Sequence, residues 1–121
     1  MVVFFYRIMK KKNRVLKSQE FNSLIHTGKK LANSSFVMYC KPRKEDHARI
    51  GITLPKKIGH AVDRNRIKRQ TRMICEELVA FDSFPYDLIL IVRFGFKDHT
   101  YAENHSNLKK LLDKLPAPAK Q

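Results

Sequence analysis

Apolar positions recur at helical spacing in three stretches of the chain and run in extended patterns in three others. Phe21, Leu24 and Ile25 stand at i, i+3 and i+4, which places them on one side of a helix. Ser18 offers an N-cap and Glu20 puts an acid in the first turn, where the helix dipole favours it. Gly28 is suited to end the helix as a left-handed C′ residue, so the expected span is 18–28. Phe21 and Ile25 read by spacing as its inner face. A second helix is expected from about Ala61 to Val79. At ~100° per residue, Ile67, Ile74 and Leu78 share a narrow stripe with Thr71 beside it. A third is expected from about Tyr101 to Leu115, with Leu108, Leu111, Leu112 and Leu115 inside and Pro116 and Pro118 ending it.

The extended patterns differ from one another. In Asn33–Lys41, Phe36, Met38 and Cys40 point one way and Val37 and Tyr39 the other. In His47–Leu54, Ala48, Ile50, Ile52 and Leu54 alternate with Arg49, Gly51 and Thr53, and Pro55 ends the ladder. The short polar link Pro42–Asp46 predicts that these two strands form an antiparallel hairpin. Asp87–Phe94, DLILIVRF, is nearly continuous in apolar residues, as a central strand buried on both faces requires. An extra short strand between Leu31 and Pro55 is allowed. The expected fold class is α+β: a small mixed or antiparallel sheet covered by helices, in the order α-β-β-(β)-α-β-α.

Length and composition fit one domain, expected over 10–115, with an N-terminal extension at 1–9 and a disordered tail at 116–121. The opening MVVFFYRIM is too short to span a bilayer. Its cations follow the apolar run, the reverse of a signal peptide. Residues 1–8 are expected to lie outside the core, with Met9 an alternative start. No membrane segment is expected, and the setting is expected to be cytoplasmic. Cys40 and Cys75 fit no metal or redox spacing and read as buried thiols in a reducing compartment. The five histidines form no ligand pattern.

Charge changes the picture. There are 25 Lys and Arg against 11 Asp and Glu, a formal net charge of +14, which draws phosphate polymers or anionic lipid. The cations concentrate in Lys56–Arg72, KKIGHAVDRNRIKRQTR, where Asp63 is the single acid. On the predicted helix Arg64, Lys68 and Arg72 form a row at i, i+4 and i+8. Asn65 and Arg69 continue around the outside, and Arg66 lies on the far side. Like charges so spaced repel by a few tenths of a kcal/mol each, a cost that a bound polyanion offsets. Upstream, Arg14 and Lys17 in the basic entry Lys10–Lys17 are available for phosphate.

No catalytic constellation accompanies these cations. Glycines stand alone at 28, 51, 59 and 95, so no phosphate-binding glycine loop exists. Asp82, Asp87 and Asp98 have no spacing that favours a two-metal nuclease site. His60 beside the basic helix has no visible partner to make it a general base.

The segment Lys56–Arg72 resembles the arginine-rich RNR signature of the bacterial ribonuclease P protein subunit, with Arg64-Asn65-Arg66 as its core. The likeness runs back through RIGITLPKK and ANSSFVMY to NRVLKSQEFNSLIHTG, and forward in character to DLILIVR. It covers most of the chain from Lys10 to Phe94. The resemblance implies a subunit of the ribonucleoprotein endonuclease that matures the 5′ end of precursor tRNA. Its chemistry would reside in the RNA subunit and draw on magnesium, with no cofactor on the protein and no obligate protein partner. Carried over by position, Lys56, Lys57, Arg64, Asn65, Arg66, Lys68, Arg69 and Arg72 would grip ribonuclease P RNA, with Arg14 and Lys17 as secondary basic contacts. Phe21, Ile25, Phe36 and Tyr39 would line a cleft between the first helix and the sheet for the single-stranded 5′ leader. Ile25 departs from the aromatic residue often found there, and Pro55 from a small polar one. The family's crossover around the basic helix is implied to be left-handed, against the general right-handed rule. Two further readings stand beside it: a structural RNA-binding protein of the ribosomal type, and a stand-alone nuclease.

Overall fold

A computed structural model describes residues 18–116. The extension 1–9, Arg14, Lys17 and all of the tail but Pro116 lie outside the described residues. Three helices and four strands follow in order: α1 Ser18–Thr27, β1 Lys29–Ala32, β2 Phe36–Pro42, β3 Ile50–Thr53, α2 Ala61–Leu78, β4 Tyr86–Val92 and α3 Tyr101–Asp113. Short 3-10 turns at Lys56–Ile58 and Phe94–Asp98 lead into α2 and α3. The α+β class is as the hydrophobic pattern predicts.

The sheet order is β1-β2-β4-β3, with β3 parallel to β4 and the other pairs antiparallel. The predicted hairpin between the second and third strands does not form, because β4 lies between them. β2 makes its hairpin with β1 instead. Asn33 builds that turn: its Oδ1 accepts from the amides of Ser35 and Phe36, both at 3.1 Å. Such a side-chain closure favours a tight reversal. The optional extra strand is β1, which begins at Lys29, two residues earlier than expected.

The link after β2 turns toward the loop preceding β4. The Arg43 amide donates to Pro85 O (3.0 Å), the Ala48 amide to Phe81 O (2.7 Å), and the Leu88 amide to Arg49 O (2.9 Å). These bonds seat β4 in the gap. Parallel β3 and β4 need a long crossover, which the 18 residues of α2 supply.

Strand alternation divides the sheet into two faces. Phe36, Met38, Cys40, Ile50, Leu88, Leu90 and Val92 are buried on one, under Ile67, Ile74 and Cys75 of α2 and Leu108 and Leu111 of α3. The opposite face carries Val37, Tyr39, Lys41, Asp87, Ile89 and Ile91, and α1 packs over β2 and β4 there. Gly28 ends α1 without a left-handed backbone, contrary to the sequence expectation, since no glycine has positive φ among the described residues. Its role is close approach: a β-carbon would stand 2.8 Å from Cys40 O and 2.4 Å from Leu24 O.

Candidate nucleic-acid interface

The basic helix begins where Asp63 turns back on the chain. Its carboxylate accepts from the His60 amide at 3.3 Å, satisfying one of the donors that a helix start leaves open. Gly59 permits this fold-back, because a β-carbon there would come 2.7 Å from the Asp63 Cβ. Ile58 is buried and pins the entering turn. Arg64 then straps that turn to the helix: Nη1 donates to Gly59 O at 3.0 Å and to Lys56 O at 3.4 Å. Exposed Lys56 and Lys57 are thus brought beside Arg64.

Ile67, Thr71, Ile74 and Cys75 face the core, and the Thr71 hydroxyl donates to Ile67 O at 2.8 Å. With that stripe buried, helical geometry places Arg64, Lys68 and Arg72 along one flank and exposed Asn65 and Arg69 on the outside. Glu77 marks the other flank, where its carboxylate accepts from the Tyr101 hydroxyl of α3 at 2.9 Å and lies 3.1 Å from His105 Nε2. Seven of the eight predicted positions therefore form one continuous basic surface, strap included. Arg66 belongs to the α3 flank, 3.6 Å from Asp63. There it lines a cavity of about 230 Å3 with Gln70, Lys97, His99 and Tyr101. Lys97 escaped the sequence reading; its ammonium donates to Ile58 O at 2.8 Å. A lysine outside any periodic element carries no signal of where it folds.

On the opposite sheet face, Phe21 and Ile25 of α1 are half-buried, as are Val37 and Tyr39 of β2. Tyr39 sits between Lys30 and Ile89 across the sheet, and the Lys30 ammonium lies 6.0 Å from its ring centroid, within cation–π reach. Phe36 does not join this group. It is 0% exposed and packs edge-on against Phe96 with ring centroids 5.7 Å apart. It stands one position from Val37 and two from Met38, so pleating sends it to the helix-covered face with Met38. The cleft position assigned to Phe36 is corrected on that ground, and Val37 and Ile91 are the apolar neighbours of Tyr39 on the accessible face.

Among the described residues the acids and thiols do not converge on a metal site. Asp87 is buried and bound to Arg49, whereas Asp82 and Asp98 are exposed. Among the described residues no group of three His, Cys, Asp or Glu is placed to hold a metal ion. Cys40 and Cys75 are free and buried; burial pushes the Cys75 thiol up to about 12, and also raises Cys40. Among the described residues no helix is long and apolar enough to cross a membrane.

A cationic helix on one side of a four-stranded sheet, with half-buried Phe21 and Tyr39 on the other, fits a protein that meets polyanions. Residues 9–116 match the ribonuclease P family model. A ribonuclease P protein component of Streptococcus thermophilus is 38% identical over 104 residues, covering 86% of this chain and 93% of the relative. One from Bacillus mycoides is 43% identical over 105 residues, with 86% and 88% covered. The structure of a Staphylococcus aureus RNase P protein mutant with defective mRNA degradation activity superposes with a TM-score of 0.79 at 35% identity, covering 92% of this chain and 94% of that one. The chain belongs to the ribonuclease P protein family, RNA-binding components of a ribonucleoprotein that processes tRNA.

Proposed function

We propose that this chain grips ribonuclease P RNA through the basic surface of α2 and its entry turn, and receives the 5′ leader of precursor tRNA in the cleft beside α1. The observation that carries this reading is the separation of the two surfaces by a single sheet, so that both RNAs can be held at once. Lys56, Lys57, Arg64, Asn65, Lys68, Arg69 and Arg72 serve the RNA subunit, and arginine suits phosphate oxygens because its planar fork binds them in pairs. Arg66 contacts the same RNA around the α3 flank.

In the cleft, Phe21 and Tyr39 offer ring faces and Ile25 an aliphatic wall. Stacking on an aromatic ring accepts any base, which suits leaders of varied sequence. Bond cleavage is assigned to the RNA subunit, with magnesium drawn by that RNA, in a cytoplasmic setting. The protein raises the local concentration of substrate and neutralises phosphate repulsion between two polyanions.

The test is cleavage of precursor tRNA at low magnesium by bacterial ribonuclease P RNA alone, by this protein alone, and by the two together. Cleavage at the mature 5′ end only in the mixture is the expected result. Cleavage by pure protein would place the chemistry here instead. Tight RNA binding with no stimulation would favour a structural RNA-binding role of the ribosomal type.

A further inference from the structure

We infer that the Glu20–Arg49–Asp87 ion network positions α1 and thereby sets the geometry of the leader cleft, making Glu20 and Arg49 positioning residues for leader selectivity. The inference rests on the cleft reading above.

Glu20, Leu24 and Gly28 follow at i, i+4 and i+8 and so form one line along α1 and the residue just past its end. All three are docked. Glu20 Oε2 lies 2.5 Å from Arg49 Nη1. Leu24 is buried, and Gly28 abuts the Cys40 carbonyl as described above. Phe21 and Ile25 each follow a docked residue by one position, about 100° further around, where they wall the cleft. Rotation of α1 about its axis would shift both relative to the sheet face that carries Tyr39.

Leu24 is the single buried residue among the described side chains of α1. One leucine is a pivot and does not by itself prevent rotation. The network supplies the second constraint. Asp87, on central strand β4, fixes Arg49 first: it accepts from the Arg49 amide at 3.0 Å and from Nη2 at 3.1 Å. Nη1 is left to reach Glu20. The guanidinium is therefore stretched between two carboxylates on two elements, and its buried Nε has no hydrogen-bond partner. The side chains are 13% exposed for Arg49, 19% for Glu20 and 4% for Asp87. Such withdrawal from water makes the pairing strongly directional and costly to break from one side. Lys41 and Lys44 line a cavity of about 190 Å3 together with Glu20, Arg49 and Asp87, so the two carboxylates share it with three cations.

Glu20→Gln is the informative variant, because it removes the charge that tethers α1 to Arg49 while leaving Arg49 bound to Asp87. The assembled complex of this chain with ribonuclease P RNA is titrated with leader-bearing precursor tRNA and with mature tRNA, and RNA-subunit affinity is measured separately. Wild type is expected to prefer the leader-bearing form, and Glu20→Gln to lose roughly three- to tenfold of that preference with RNA-subunit affinity unchanged. Arg49→Lys, which can hold one carboxylate at a time, is expected to give the same selective loss. In a Tyr39→Ala background Glu20→Gln is expected to add less than about twofold, since both act on one cleft. Retained preference in Glu20→Gln, full additivity with Tyr39→Ala, or a parallel fall in RNA-subunit affinity would overturn the inference. Absence of any leader preference in wild type would instead remove the cleft reading beneath it.

Discussion

Asn104 of α3 and Ser35, just before β2, share a buried hydrogen bond of 2.7 Å, with the Ser35 hydroxyl donating to Asn104 Oδ1. Asn104 Nδ2 donates in turn to Phe96 O at 3.0 Å, and Asn107 Nδ2 donates to Ser35 Oγ at 2.9 Å. This node ties the last helix to the strand that carries Tyr39. Asn104→Leu would leave the Ser35 O–H without its acceptor and Phe96 O with the His99 backbone N–H alone, at a cost of about 1–3 kcal/mol. Urea unfolding is the check; a change below about 0.5 kcal/mol would contradict the assigned role.

Arg64→Ala and Arg69→Ala are each expected to weaken binding to ribonuclease P RNA by about tenfold, or 1.4 kcal/mol. Each is also expected to lower the salt dependence of that binding by about one phosphate contact. Arg64→Ala should do more harm than its phosphate contact alone explains, because its guanidinium also holds the turn that presents Lys56 and Lys57. Filter-binding titrations at several salt concentrations decide; an unaltered slope with reduced affinity would point to misfolding of the turn instead.

Tyr39→Ala removes the ring that Lys30 approaches. Base stacking on one aromatic contributes about 1–3 kcal/mol, so affinity for leader-bearing precursor tRNA is expected to fall by at least about fivefold, with mature tRNA little affected. Equal losses for the two substrates would reject the cleft assignment. Phe36→Leu provides a contrast: it should lower stability through the core without changing the ratio between substrates, because Phe36 is wholly buried.

Alkaline pH should destabilise the fold. Burial raises the Cys75 thiol to about 12, and burial, followed by the Glu77 hydrogen bond, raises the Tyr101 hydroxyl to about 12. Both ionise more readily in the unfolded chain, near ~8.5 for Cys and ~10 for Tyr. Above those values the unfolded state loses protons that the folded state keeps, so the unfolded state binds fewer and stability falls as pH rises. The contribution is intact below about pH 8.5 and declines progressively toward about pH 12. Chemical denaturation from pH 8 to 11 should show this decline, and Tyr101→Phe should blunt its upper part. A flat profile in wild type would exclude it.

Much of the architecture is written locally. Period-3.6 apolar spacing identifies the inner stripe of α2 through Ile67, Thr71 and Ile74, and alternation assigns Met38 and Tyr39 to opposite faces of β2. The RNR sequence likewise marks the basic helix before any contact is known. These features are legible because each depends on neighbours within one or two turns of chain.

Pairing and placement depend on distant partners. β2 and β3 look like a hairpin until Tyr86–Val92 inserts between them, held by bonds from Arg43, Ala48 and Arg49 to and from a loop and strand some forty residues on. Phe36 shares aromatic character with Tyr39, but only the positions of α2, α3 and Phe96 decide that its face is sealed. Glu20 reads in sequence as a helix-dipole acid, and becomes a tether only once folding brings it to Arg49 and Asp87. Lys97 has no periodic context, and reaches Ile58 only through the turn after β4. The amino-acid order determined the elements and the charged surface because short-range geometry and net charge are local sums. Tertiary structure decided strand order, the accessible face and the ion network, because each requires chain segments that share no local pattern to meet.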